Sequence, residues 1–188
     1  MRKLILRMLL TLDGVAAGED GPIDAVDYGD EGSWSDIFAT LETVDAMLIG
    51  GNAHAEYLDY WQKVLTSANA PASEKKFAEI AARTPHYVLS RTLREVHWPN
   101  ASVLPGGVDG IANLKRQDGG DILMWGGPTV AAAAIEAKLI DEYHFDVHPL
   151  IAGQGKKLFD KVTEVHKVRH LDTTSFPSGV VIVKYGRE

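Results

Sequence analysis

A strand that turns through two glycines directly into a helix is a place where a phosphate can sit, and the chain has one at DILMWGGPT, residues 121–129. Ile122 to Trp125 is an apolar run with the length of a buried strand. Gly126 and Gly127 follow, then Pro128 and Thr129 open the alanine-rich stretch 130–139. Proline suits the first helical position because its missing N–H would have no intrahelical partner there. The helix start offers backbone N–H groups and the positive end of a dipole. Neither glycine has a side chain to keep an anion away. The pattern is not the G-x-G-x-x-G dinucleotide fingerprint, since the third glycine is missing.

Three other segments end apolar runs with small or anion-compatible residues: Asp13-Gly14, Gly50-Gly51-Asn52 and Ser90-Arg91-Thr92. Ser90 and Arg91 offer a hydroxyl and a guanidinium to a phosphate. Ligands on open α/β sheets bind outside the carboxyl ends of the strands, so four such ends in one chain point together to one site. A rival signal is His144-x-Asp146-x-His148, three potential ligands on one strand face that suit zinc or a non-haem metal. Polar alternation of this kind is also what a half-exposed strand shows.

The elements that must position these residues alternate. Residues 3–12 form a nearly continuous apolar run, expected as a central strand covered on both faces. Residues 15–32 are read as a long loop, a lid or binding excursion, rich in acid (Glu19, Asp20, Asp24, Asp27, Asp30 and Glu31) and without a base. Ser33 with Asp36 fits a capping box that starts a helix, with Trp34, Ile37, Phe38 and Leu41 on its apolar face. Strands are expected at 45–50, 86–90, 101–104 and 122–125, and helices at 54–65, 73–83, 108–116 and 130–139. Strand 142–148 is expected to place Tyr143, Phe145 and Val147 opposite His144, Asp146 and His148. Residues 164–174 and 180–185 form a hairpin around Ser175–Gly179. This order predicts an α/β fold of three layers, helix, mostly parallel mixed sheet and helix, with a C-terminal antiparallel hairpin, in one domain spanning residues 1–188.

Composition narrows the function. The chain has 188 residues, 45% hydrophobic and 24% charged, enough for a large core. A formal net charge of −7 argues against nucleic acid or an anionic membrane as partner. Without cysteine, disulfides, thiolate metal sites and cysteine nucleophiles are excluded. Arg7 interrupts the N-terminal apolar run, and no stretch has the length of a membrane span, so a cytoplasmic protein is expected.

TLDG at 11–14, LIGG at 48–51, VLSRTL at 88–93 and WGGPT at 125–129 occur in the order seen in the dihydrofolate-reductase-like superfamily. LIDEYHFDVHPLIAGQGKKLF at 139–159 resembles more closely the branch holding the C-terminal reductase domain of bacterial riboflavin-biosynthesis proteins. The resemblance covers essentially the whole chain. It implies an NADPH-dependent reductase, often dimeric in this branch. It also implies that Gly126, Gly127, Pro128 and Thr129 cradle the cofactor pyrophosphate, that Ser90 and Arg91 lie at the adenosine 2′-phosphate, and that Ala16 faces the nicotinamide. The family's Gly-Arg-x-Thr motif is altered here, with Gly51, Asn52 and Ala53 in place of the residues that grip phosphates. A charge-assisted contact is worth about 1.5–3 kcal/mol, so losing one weakens a cofactor about tenfold or more. Either Arg91 compensates, or NADH or another nucleotide is preferred, or binding is lost.

Hydride transfer to a C=N or C=O group of a heterocyclic or ribosylamino-pyrimidine substrate is the implied chemistry. The folate enzymes take their proton donor from an acidic residue on the first helix; Asp36 is the nearest match, with Glu31 and Asp13 as other candidates. Trp34, Phe38, Tyr57 and Trp61 are candidate walls of an aromatic substrate pocket, and equally candidate core residues. The non-enzymatic alternative is a degenerate reductase fold that binds a small ligand or nucleotide without hydride transfer.

Overall fold

A computed structural model of the chain describes residues 1–19, 21, 23 and 31–188. Most of the acidic stretch between residues 20 and 30, with Asp20, Asp24, Asp27 and Asp30, lies outside the described residues, and with it most of the expected lid.

Strand β1 (Leu4–Thr11) is the axis of the molecule. It pairs in parallel with β6 (Asp121–Trp125) on one side and β7 (Glu142–His148) on the other. Outward from β6 come β3 (Val44–Gly50), β4 (His86–Leu89) and β5 (Ala101–Leu104), all parallel. Outward from β7 comes β10 (Val181–Arg187), the antiparallel strand, then the edge strand β9 (Val168–Ser175). The eight-stranded order is thus β5-β4-β3-β6-β1-β7-β10-β9.

Period-two alternation in β1 builds a core on each face. Leu4, Leu6, Met8 and Leu10 pack with α4 (Val108–Arg116) and α5 (Pro128–Glu136). Ile5 faces the other way, against α1 (Glu31–Leu41), α2 (His54–Thr66) and α3 (Ala72–Arg83) through Trp34, Trp61 and Phe77. This is the three-layer α/β/α arrangement around a mixed sheet. The buried face of α5 is mostly alanine (Ala131, Ala132 and Ala134), and such small side chains let its backbone lie close to the sheet.

Several local expectations shift. Helix α1 begins at Glu31, so Ser33 sits inside its first turn, 2% exposed, and the Ser33–Asp36 capping box does not form. Helix α3 begins at Ala72 behind Pro71, one residue before the expected start at 73. Within the stretch expected as loop, Val15–Ala17 is a short strand, β2, paired antiparallel with β8 (Lys156–Lys157). The hairpin's first strand starts at Val168, not at 164.

The larger correction concerns β7. Its polar side is not half-exposed: His144, Asp146 and His148 are 5%, 4% and 4% exposed. Register explains it, since His144 lies between Arg7 of β1 and Lys184 of β10. Arg7, fully buried, donates from Nε and Nη2 to Asp146 at 3.2 and 3.1 Å, and from Nη1 to Asp36 at 2.7 Å. Lys184 also pairs with Asp36. The two cations and two carboxylates compensate one another beneath α1. Burial raises the Asp146 carboxyl above its ordinary range even against the Arg7 pair. Burial also opposes ionisation of Asp36, but Lys184 and Arg7 together outweigh it and hold that carboxyl low. His144 is pushed down to about 4, chiefly by burial, and its Nε2 lies 3.2 Å from Glu142.

Asp13 ties two loops together. Its carboxylate accepts the Thr11 hydroxyl at 2.6 Å and the Ala152 and Gly153 amides at 3.0 and 2.9 Å, which pins the 149–155 loop beside β2. These bonds, led by that from Thr11, lower its pKa to about 2. A carboxyl lowered in the folded state contributes its stability above the unfolded value near 4, and loses it as pH falls through about 2. Asp13→Ala is therefore expected to speed amide hydrogen exchange at Ala152 and Gly153 about tenfold or more at pH 7. Unchanged protection at both amides would show that the carboxylate does not hold the loop.

Candidate functional site

The carboxyl ends of β1, β3, β4 and β6 open into one cleft of about 1720 Å³. Its floor joins the two glycine pairs. Gly127 has φ +81°, and a Cβ on it would stand 3.3 Å from the Gly50 Cα. A Cβ on Gly50 would meet Val130 at 3.1 Å. These two glycines allow the β3 and β6 loops to touch. Gly126 differs: its φ is +60°, yet a Cβ there would meet nothing within 4 Å, so this position looks onto open space.

Beyond it stands the start of α5. The Val130 and Ala131 amides donate to the Gly127 carbonyl at 2.9 and 3.0 Å. The Thr129 amide comes too early in the helix to have an intrahelical acceptor. Lys161 reaches the same turn, its Nζ donating to the Thr129 hydroxyl at 3.1 Å. An anion above Gly126 would thus meet bare backbone, a helix N-terminus and one lysine.

The sequence-predicted cofactor residues gather here. Ala16, Gly51, Asn52, Ser90, Arg91, Gly126, Gly127, Pro128 and Thr129 all line the cleft. The Ser90 hydroxyl oxygen accepts the Thr92 and Leu93 amides at 3.2 and 3.1 Å, which fixes the turn after β4 and leaves Arg91 exposed at the rim. Gly51 has a structural reason for lacking a side chain, since its Cβ would lie 2.9 Å from that of Ser90.

The predicted substrate residues divide. Trp34, Tyr57 and Trp61 line the cleft with Phe77 and Trp125, and Trp61 and Phe77 pack at 4.4 Å between ring centroids. Phe38 does not line it; it stacks on Trp34 at 5.8 Å and carries Lys76 over its ring. Asp36 does not line it either, and its carboxylate is held ionised between Arg7 and Lys184. At neutral pH Asp36 has no proton to give, so the structure does not support its expected role as proton donor. Asp13 is engaged with backbone amides, and Glu31 is exposed at the start of α1, outside the cleft lining. In the proposed metal triad, Asp146 is used by Arg7 and the His144 Nε2 faces Glu142. Among the described residues no cluster of three metal-ligating side chains occurs.

Sequence reasoning missed several lining residues: Arg7, Glu56, Asp59, Glu74, Trp125 and Lys156. Glu56 and Asp59 on the His54–Thr66 helix had a signal, three residues apart on its outward face. Lys156 had none, because its place depends on the long-range pairing of β8 with β2.

Comparisons with known proteins agree with this architecture. A Bacillus subtilis protein of undetermined function, YyaP, is 28% identical over 98% of this chain and 94% of its own length. A Shewanella sp. PV-4 structure named for riboflavin biosynthesis superposes with a TM-score of 0.73 at 22% identity, over 99% of both chains. Enterococcus faecalis dihydrofolate reductase, solved with NADP(H) and RAB-propyl, superposes with a TM-score of 0.63 at 15% identity, over 99% of this chain and 96% of that one. At these identities the superpositions establish the fold. The model of the RibD C-terminal domain matches residues 2–182, nearly the whole sequence. With its dihydrofolate-reductase-like sheet and glycine-floored cleft, the chain belongs to the RibD C-terminal domain family.

Proposed function

We propose that this chain is a reductase that uses NADPH to reduce a C=N or C=O group of a heterocyclic substrate of the pyrimidine-reductase kind. The observation that carries the reading is Gly126, a positive-φ residue over open space at the mouth of α5. When bound, the reduced nicotinamide supplies the hydride. The protein's part is to hold and orient. Gly126, Gly127 and the Thr129 amide would receive the pyrophosphate, and Lys161 would add the positive charge that Asn52 and Ala53 do not supply. Arg91, exposed at the rim of the cleft, would grip a 2′-phosphate. Ala16 would border the nicotinamide, and Trp34, Trp61 and Phe77 would form an apolar wall that excludes water.

Calorimetric titration with NADPH and then NADH tests this. Micromolar binding of NADPH is expected, with Arg91→Ala weakening NADPH about tenfold and leaving NADH unchanged, the loss of one charge-assisted contact. Failure of both nucleotides to bind up to millimolar concentration would sink the reading. It would favour the second one, a reductase fold that keeps a ligand cleft without hydride transfer, to which the missing grips at Asn52 and Ala53 already point.

A further inference from the structure

β9 (Val168–Ser175) ends the eight-stranded sheet. It pairs with β10 on one side and, among the described residues, with no strand on the other. Such an edge presents a row of backbone N–H and C=O groups that can pair with another chain. No proline interrupts it, and every residue but Thr174 is exposed. Apolar surface lies beside it. Val168 lines a hollow of about 270 Å³ with Tyr143, Phe145, Phe159, Val162 and Tyr185, and Phe159, Val168 and Leu171 are exposed.

Backbone pairing accepts any strand, but the side chains of β9 select one. The ladder with β10 slips by one residue: His170 lies opposite Tyr185 and Asp172 opposite Lys184, so Leu171 is a bulge. Arg169 lies opposite Gly186, its guanidinium 3.4 Å from where a Cβ there would stand. Lys184 and Gly186 share a face of β10, so Arg169 and Asp172, three apart, share a face of β9. His170 and Thr173 share the other, the imidazole Nε2 lying 2.8 Å from the hydroxyl. Neither Arg169 nor Asp172 has an ion-pair partner among the described residues, and Lys184 is taken by Asp36.

From this pattern we infer that β9 pairs antiparallel with β9 of a second copy, about a two-fold axis normal to the sheet between His170 and Leu171. Residues opposed about such an axis must share a face, and the bulge is what allows Arg169 to oppose Asp172. Each copy supplies both members of the pair, Val168 opposes Thr173, and the two Leu171 side chains lie diagonally across the axis. A foreign strand would need an acid and a base at the same reciprocal spacing, which β9 itself supplies.

Sedimentation velocity of the full chain, from about 1 to about 100 μM, tests this, and a reversible dimer with a micromolar Kd is expected. Arg169→Asp opposes acid to acid twice, and Asp172→Arg opposes base to base twice. Each variant alone should therefore weaken the dimer about thirtyfold or more. Mixing the two variants matches opposite charges at both positions and should restore a dimer within about threefold of wild type. Both positions are exposed, so each variant should melt like wild type. Wild type that stays monomeric at about 100 μM would mean that the bulge and the charges blunt the edge, and overturns the proposal. So does a dimer indifferent to either reversal, or a mixture that stays monomeric while both variants melt like wild type.

Discussion

Gly126→Asp is expected to lower NADPH affinity at least a hundredfold while leaving the protein folded. Backbone strain and charge repulsion together set the size. An L-residue in the left-handed region costs about 1–2 kcal/mol, less for aspartate than for most residues. Repulsion is the greater of the two: a carboxylate about 4 Å from a pyrophosphate, at a partly desolvated site, is opposed by roughly 4 kcal/mol per charge pair. The fold is spared because a Cβ at 126 meets nothing within 4 Å. Gly126→Ala separates strain from charge, since it keeps the first and omits the second; a loss of no more than about tenfold is expected. Gly127→Ala behaves differently. Its Cβ lies 3.3 Å from the Gly50 Cα, so it should lower the melting temperature before it says anything about ligand. The measurements are calorimetric affinity and a thermal melt on each variant. An aspartate variant that binds NADPH within threefold of wild type would remove the phosphate cradle from above α5.

Much of this fold was legible because its signals are local. The apolar run in β1, the turn through Gly126 and Gly127 into Pro128, and the alternation of strands with helices each follow from a few adjacent residues. The C-terminal hairpin was legible for the same reason. What was not legible depends on partners far apart in the chain. The polar face of β7 has the sequence pattern of a half-wet strand, and nothing near it announces that Arg7 and Lys184 flank it in the sheet. Asp36 was assigned to a cap because Ser33 precedes it at the right spacing. In fact the helix begins two residues before Ser33, and Asp36 turns inward to those cations. The glycines show the same limit. Gly50, Gly51, Gly126 and Gly127 were all readable as phosphate-compatible, but only Gly126 faces open space. The other three relieve contacts, Gly50 with Gly127 and Gly51 with Ser90. Glu74 escaped notice because it looks like an ordinary solvated helix position until α2 and α3 are placed on the same wall of the cleft.

The buried pair under α1 carries the second large effect. Arg7→Met is expected to destabilise the fold by about 3–5 kcal/mol, because it strands Asp146 in the interior without a counter-charge. For a chain of this size that corresponds to a fall in melting temperature of about 6–20 °C. The deficit must depend on pH, and its sign is fixed by Asp146. Its folded pKa is already raised, so its favourable contribution is complete below the unfolded value and is lost as pH rises through the folded one. Removing Arg7 raises it further, so the deficit should be largest near pH 7 and shrink as the solution is acidified and Asp146 takes up a proton. Asp36 has the opposite sign, its contribution being present above the unfolded value and lost as pH falls, but Lys184 still pairs with it in the variant. The double variant Arg7→Met, Asp146→Leu should recover most of the loss, since two apolar side chains of similar bulk replace the ion pair with no charge left buried. Urea denaturation of wild type and both variants at pH 7 and pH 5 decides it. A loss below about 1 kcal/mol at pH 7 for the single variant would mean that water reaches Asp146 and that the pair is not desolvated.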